Sequence, residues 1–132
     1  MKISFDFDGC LGDNKFVQLI CKVFQSAGHD VFIITSRDPK MKNSDVWKLA
    51  EEFKIPFENV HMTNGSLKVH TFMELDMDLH FDNSFDEIVA INDMFEGNNP
   101  MGKSFDMPAI LTNFDTEEMG YIYNFINNGG NR

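Results

Sequence analysis

The sequence predicts an α/β fold, a Rossmann-like three-layer sandwich in which helices cover both faces of a mainly parallel five-stranded sheet. Short apolar runs alternate about five times with longer amphipathic segments, an order typical of parallel strands joined by helices. The run VFIIT at 31–35 is continuous and rich in β-branched residues, as in a strand buried on both faces. We therefore expect residues 1–132 to form a single domain.

The first half of the chain contains two predicted strand–helix units. Residues 2–7 (KISFDF) form a strand candidate that ends in acids. Residues 14–27 place apolar side chains at helical spacing, and Gly28 follows as a stop signal. After the strand at 31–35, Ser44 is a candidate cap for a helix that runs to about residue 53 with its apolar side chains on one face.

The second half continues the same alternation. Residues 59–62 form a short strand candidate, and Asn64-Gly65 marks a turn before a helix over about 66–75. Residues 79–82 form the next strand candidate, which again ends in an acid. The remaining predicted elements are a helix from Ser84 to about Phe95, a loop over 96–107, a strand over 109–112 and a helix over 116–127.

The composition is that of a folded, acidic protein. Of the 132 residues 42% are hydrophobic, which is sufficient for one core. The formal net charge of −10 repels polyanions and disfavours binding to duplex nucleic acid, because such binding depends on Lys and Arg at the phosphates. No window approaches ~18 apolar residues without charges, so we expect no membrane-spanning segment and a cytoplasmic location.

Polar residues stand at the ends of three predicted strands, the edge at which ligands bind in such sheets. Asp6 and Asp8 are two residues apart, so on an ideal strand their side chains would share a face and repel each other. A hard divalent cation would relieve that repulsion, and Gly9 allows a sharp turn beside it. A strand-end turn without a ligand is the alternative. The other two clusters are Thr35-Ser36-Arg37 and Asp82-Asn83-Ser84.

Taken together, the clusters resemble the motifs of the haloacid dehalogenase superfamily. The segment ISFDFDGCL at 3–11 resembles the first motif, an apolar strand followed by D-x-D-G. The segment VFIITSR at 31–37 is similar to the second motif, and Lys68 precedes LHFDNS at 79–84 in the order of the third and fourth motifs. The resemblance spans residues 3–84 and implies a small phosphatase of this superfamily.

The resemblance implies a role for each of these residues. Asp6 is the nucleophile that attacks phosphorus and becomes phosphorylated. Asp8 is the general acid for the leaving group and then the base for the attacking water. Thr35 and the Ser36 amide hold a phosphoryl oxygen, and Lys68 neutralises charge on the nucleophile and on the phosphoryl group.

The resemblance also implies a magnesium ion, held by the Asp6 carboxylate, the Asp8 carbonyl oxygen and a side chain of the fourth motif. The chain has Asp82-Asn83 where many members have Asp-Asp. We assign Asn83 to the metal and Asp82 to the neighbourhood of Lys68, with the reverse assignment left open.

Two basic residues allow more than one interpretation. Arg37, directly after the second motif, is a candidate for holding a substrate phosphate or carboxylate; as an alternative it is a surface residue that pairs with Asp38. Lys68 has the alternative of being a solvated helix residue.

The expected function is magnesium-dependent hydrolysis of a phosphomonoester, in a small molecule or an exposed phosphoester. The short connections around the motifs leave no room for a cap domain, so the site is expected to be open, and a second copy of the chain could cover it in a homo-oligomer. The alternative is a non-catalytic protein that uses the same pocket to bind a nucleotide or a phosphorylated ligand.

Overall fold

The computed structural model of the protein describes residues 1–95 and 107–112. The predicted loop after Phe95 and the predicted helix over 116–127 therefore fall, except for Met107, outside the described residues. No helix within the described ranges is long and apolar enough to cross a bilayer.

The five described strands form one sheet in which every neighbouring pair is parallel, so the predicted fold class is confirmed. Their order across the sheet is β3-β2-β1-β4-β5. The strands are β1 (Lys2–Phe5), β2 (Asp30–Thr35), β3 (Val60–Met62), β4 (Leu79–Asp82) and β5 (Ala109–Leu111). The helices between them are α1 (Lys15–Ser26), α2 (Ser44–Glu52), α3 (Val69–Glu74) and α4 (Phe85–Phe95).

Helices cover both faces of the sheet, and each face has its own hydrophobic cluster. Alternate residues of β2 point to opposite faces, as the period of a strand requires. Val31 and Ile33 belong to the cluster with α1 and α2, whereas Phe32 and Ile34 belong to the cluster with α3 and α4. The three layers predicted from the sequence are thus present in the described residues.

Local hydrogen bonds set the helix boundaries. The Asn14 side-chain oxygen accepts from the main-chain nitrogens of Phe16 and Val17 at 3.0 and 3.2 Å, which satisfies two donors at the start of α1. The prediction that Ser44 caps α2 is wrong by one residue, because Ser44 is the first helical residue and Asn43 precedes it.

The start of α3 also differs from the prediction. The helix begins at Val69 rather than near Ser66, because Asn64 and Gly65 adopt positive φ angles of 52° and 81°. The turn that they form occupies the residues between β3 and Lys68, so these residues are not part of the helix.

The strand order creates a switch point at the centre of the sheet. From β1 the chain proceeds outward through β2 to β3, and then it crosses to β4 on the other side of β1. Ligands of such sheets bind outside the carboxyl ends of the strands where the order reverses. Asp6, directly after β1, and Asp82, at the end of β4, stand on either side of this point.

Candidate active site at the switch point

The chain turns away from the sheet immediately after β1. The strand ends at Phe5, the Asp6 main-chain nitrogen donates to the Phe81 oxygen at 2.8 Å, and Gly9 has a φ of +69°. The strand therefore does not extend to Phe7 as predicted, and Asp6 and Asp8 do not share a strand face. The Asp6 carboxylate is buried, whereas the Asp8 side chain is 59% exposed.

Lys68 lies between two buried carboxylates. Its Nζ is 2.7 Å from Asp6 Oδ1 and 2.7 Å from Asp82 Oδ2, and only 2% of the residue is exposed. Its main-chain nitrogen faces the Glu87 carboxylate at 3.2 and 3.3 Å. The alternative interpretation of Lys68 as a solvated helix residue is therefore wrong.

The charges in this cluster do not balance. Asp6, Asp82 and Glu87 place three carboxyl groups around one ammonium group. Burial raises the pKa of Asp6 to about 6 in spite of the nearby Lys68 ammonium, and burial also raises the pKa of Glu87. Burial acts to lower the pKa of Lys68, but the charges of Asp6 and Asp82 outweigh it and raise that pKa. Such a cluster is favourable to a further cation.

Every oxygen of Asp82 has a donor. Oδ2 accepts from Lys68 and also lies 2.8 Å from Nε2 of the buried His80, and Oδ1 accepts from the Ser84 main-chain nitrogen at 2.9 Å. Burial acts to raise the pKa of Asp82, but the His80 hydrogen bond and the Lys68 charge outweigh it and leave that pKa below its usual value. This geometry favours Asp82 as the partner of Lys68.

Asn83 lies against two oxygens at the same point. With its nitrogen turned inward, the Asn83 amide donates to Asp6 Oδ2 at 2.8 Å and to the Asp8 carbonyl oxygen at 3.3 Å. With its oxygen turned inward, three oxygens converge, an arrangement that is favourable only around a cation. A Cβ at Gly9 would overlap the Asn83 amide, so any other residue there would displace the Asn83 side chain.

This donor set fits a magnesium ion. One carboxylate, one main-chain carbonyl and one side-chain amide are the hard oxygen ligands that magnesium prefers, with water completing its coordination. Among residues 1–95 and 107–112 no three His, Cys, Asp or Glu side chains converge as a metal-ligand group. Any cation at this site would therefore depend on the Asp8 carbonyl oxygen and on Asn83.

Arg37 connects Asp8 with α2. Its Nε and Nη2 donate to the two Asp8 carboxylate oxygens at 2.9 and 2.7 Å, and its Nη1 and Nη2 donate to Asp45 at 2.6 and 2.8 Å. The guanidinium also lies over the Phe7 ring, 4.9 Å from its centroid. The alternative interpretation, in which Arg37 pairs with Asp38, is therefore wrong, because Arg37 pairs with Asp8 and Asp45. Hydrogen bonds from Asp8 and Asp45 raise the pKa of Arg37, and the Arg37 bond lowers that of Asp45.

The two hydroxyl residues after β2 have different surroundings. Thr35 is fully buried, and its Oγ1 accepts from the Arg37 main-chain nitrogen at 3.4 Å. Ser36 is exposed and lines an open cleft of about 430 Å³. The cleft is also lined by Asp6, Asp8, Gly65, Ser66, Leu67, Lys68, Asp82, Asn83, Ser84, Asp86 and Glu87.

The structure brings together most of the residues that the sequence singled out. Asp6, Lys68, Asp82 and Asn83 form one cluster, and Ser36 lines its cleft. The contact between His80 and Asp82 was not predicted from the sequence, although two residues of separation on a strand place both side chains on the same face. Sequence reasoning also missed Asp45 and Glu87, whose sequence positions carry no comparable signal.

Comparison with protein-family models and with curated protein sequences gives no match for this chain.

Proposed function

We propose that this protein is a phosphohydrolase of the haloacid dehalogenase type that hydrolyses phosphomonoesters with magnesium. One observation carries the proposal: the Asp6 carboxylate, at the sheet's switch point, is held by the buried Lys68 ammonium at 2.7 Å and lies beside the Asn83 amide. A purely structural ion pair has no need of an open cleft, an unbalanced negative charge and an amide oriented toward two oxygens.

In the first half of the reaction, an Asp6 carboxylate oxygen attacks the phosphorus atom of the substrate. The phosphorus–oxygen bond to the leaving group breaks, and the departing oxygen takes a proton from the Asp8 carboxyl group. Lys68 reduces the repulsion between the attacking carboxylate and the anionic phosphoryl group. The hydrogen bond from Lys68 to Asp82 already holds the ammonium group in this position.

In the second half, a water molecule attacks the phosphorus atom of the aspartyl-phosphate. The Asp8 carboxylate accepts a proton from that water, the bond between Asp6 and phosphorus breaks, and inorganic phosphate leaves. Because Arg37 binds both Asp8 oxygens, proton transfer requires that contact to open. The substrate phosphoryl group is another anion that Arg37 can bind. We propose that Arg37 binds this group together with the nearby Ser36 amide and Thr35.

The magnesium ion would be held by the Asp6 carboxylate, the Asp8 carbonyl oxygen and the Asn83 side chain. Its charge would stabilise the developing negative charge on the phosphoryl oxygens. It would also offset the excess of carboxylates around Lys68.

The test is turnover of an aryl phosphate by the wild-type chain and by Asp6→Asn. We expect Asp6→Asn to lower kcat by ~10³-fold or more, because it removes the nucleophile and keeps the shape of the side chain. The matched control is Asp30→Asn, which should keep wild-type turnover. Asp30 is exposed at the start of β2, and the cleft lies at the other end of the strands. Substantial activity in folded Asp6→Asn would contradict the covalent mechanism.

The same samples distinguish an enzyme from the non-catalytic alternative, a binding protein. Magnesium-dependent binding of inorganic phosphate by a wild-type chain that shows no turnover with any aryl phosphate would favour a binding protein over an enzyme.

A further inference from the structure

A chain of hydrogen bonds runs through the core to the proposed nucleophile. Ser4 Oγ lies 2.7 Å from His80 Nδ1, and His80 Nε2 lies 2.8 Å from Asp82 Oδ2. The same Asp82 oxygen accepts from Lys68, which in turn donates to Asp6, both at 2.7 Å. Ser4, His80 and Asp82 are fully buried.

The contacts determine which ring nitrogen of His80 carries the proton. An ionised carboxylate can only accept, so the ring must donate to Asp82 through Nε2–H. Burial lowers the pKa of His80 and keeps the ring neutral, so Nδ1 is then an acceptor for the Ser4 hydroxyl. The Ser4 contact to the Leu79 carbonyl oxygen is longer, at 3.3 Å. The Asp82 carboxylate therefore selects the tautomer, and the Ser4 hydroxyl, which can donate as well as accept, is compatible with it.

This donor acts on the carboxylate that fixes Lys68. Asp82 Oδ2 is shared between the ammonium and the imidazole, and the ring itself packs edge-on against Phe72, with 6.5 Å between centroids. A side chain locked by packing and by hydrogen bonds on both ring nitrogens can hold its partner in one orientation.

We infer that His80 is a positioning residue for the proposed reaction: it holds Asp82, and through Asp82 the Lys68 ammonium, in the orientation that faces Asp6. The inference rests on the proposed function. It assigns no contact between His80 and the substrate, so loss of the ring should affect the rate of the chemical step and leave substrate binding unchanged.

The test compares kcat and KM for aryl phosphate hydrolysis by two His80 variants. Gln places its amide nitrogen near the position of Nε2 and can still donate to Asp82, whereas the shorter Asn cannot reach it. We expect His80→Asn to lower kcat by ~10-fold or more, within the usual effect of such outer contacts, and to leave KM and the magnesium requirement unchanged. His80→Gln should recover most of the wild-type kcat.

Two further measurements separate positioning from stability. His61→Phe is the control, because His61 on β3 has a ring nitrogen without a hydrogen-bond partner and no contact with the site; it should keep wild-type kcat. Nitrogen spectra of ring-labelled wild-type protein should show the Nε2–H tautomer for His80, whatever the activity.

Failure of the inferred role of His80 can be distinguished from failure of the proposed function. Equal kcat values for folded His80→Gln and His80→Asn, or an Nδ1–H tautomer, would overturn the role of His80 while leaving the phosphohydrolase proposal intact. A wild-type chain without turnover would overturn both.

Discussion

Asp6→Asn should stabilise the protein at neutral pH even though it removes the proposed nucleophile. Asp6 is 5% exposed, and burial raises its pKa from 3.8 to about 6. A raised carboxyl pKa means that the ionised form is less favourable in the folded chain than in the unfolded chain. Asparagine has almost the same shape and carries no charge, so it avoids this penalty.

The magnitude follows from the pKa difference. Each pKa unit corresponds to ~1.4 kcal/mol, so a rise from 3.8 to about 6 represents about 3 kcal/mol. Above about pH 6 Asp6 is ionised in both states and the whole penalty is present. It decreases as the pH falls from about 6, and it vanishes below about 4, where both states are protonated.

The assay is urea unfolding of wild type and Asp6→Asn in chelator, between about pH 4 and pH 8. We expect the variant to exceed the wild type by about 3 kcal/mol at about pH 7.5, with the difference vanishing toward pH 4. Comparing the two chains removes the effect of the titrating groups that do not interact with Asp6. A variant that is no more stable at pH 7.5, or a difference that does not change with pH, would refute the reasoning.

Three other perturbations follow from the site. In a magnesium titration of turnover, Asn83→Ala should raise the magnesium concentration needed for half-maximal rate, and Asn83→Asp should be tolerated. Asp82→Ala should instead lower the maximal rate. If only Asp82→Ala changed the magnesium requirement, Asp82 would be the metal ligand and Asn83 would not. Gly9→Ala should lower the free energy of unfolding by ~1 kcal/mol or more, measured by urea unfolding, because of the positive φ and the overlap with the Asn83 amide. Burial raises the pKa of Cys10 and Cys21 to about 12, so neither thiol should react with a thiol reagent until the chain unfolds; rapid labelling of the native protein would contradict their burial.

The sheet could be predicted because its signals are local. Periodicity and β-branched runs indicate each strand from neighbouring residues alone, and β4 was predicted with the observed limits. The errors lie at the ends. β1 stops two residues early because the turn around Gly9 begins there, and α3 starts late because Asn64 and Gly65 take positive φ angles, which the periodicity of the flanking residues does not encode.

Only the part of the candidate site that lies at the ends of strands could be predicted from the sequence. The carboxyl ends of parallel strands meet at one edge, so the sequence could bring Asp6 and Asp82 together. It could not show that Arg37 binds Asp8 and Asp45, because that contact depends on the reach of a long side chain from one loop to another and to a helix.

The central position of β1 also bears on how the molecule is made. β1 pairs with β2 and with β4, Ile3 lying opposite both Val31 and Leu79, so β1 completes its pairing only after the residues up to the end of β4 have left the ribosome. The half of the sheet from β1 to β3 can form first, since its contacts are closer in sequence. A nascent chain of that length already carries Asp6, but it lacks both Lys68 and Asp82.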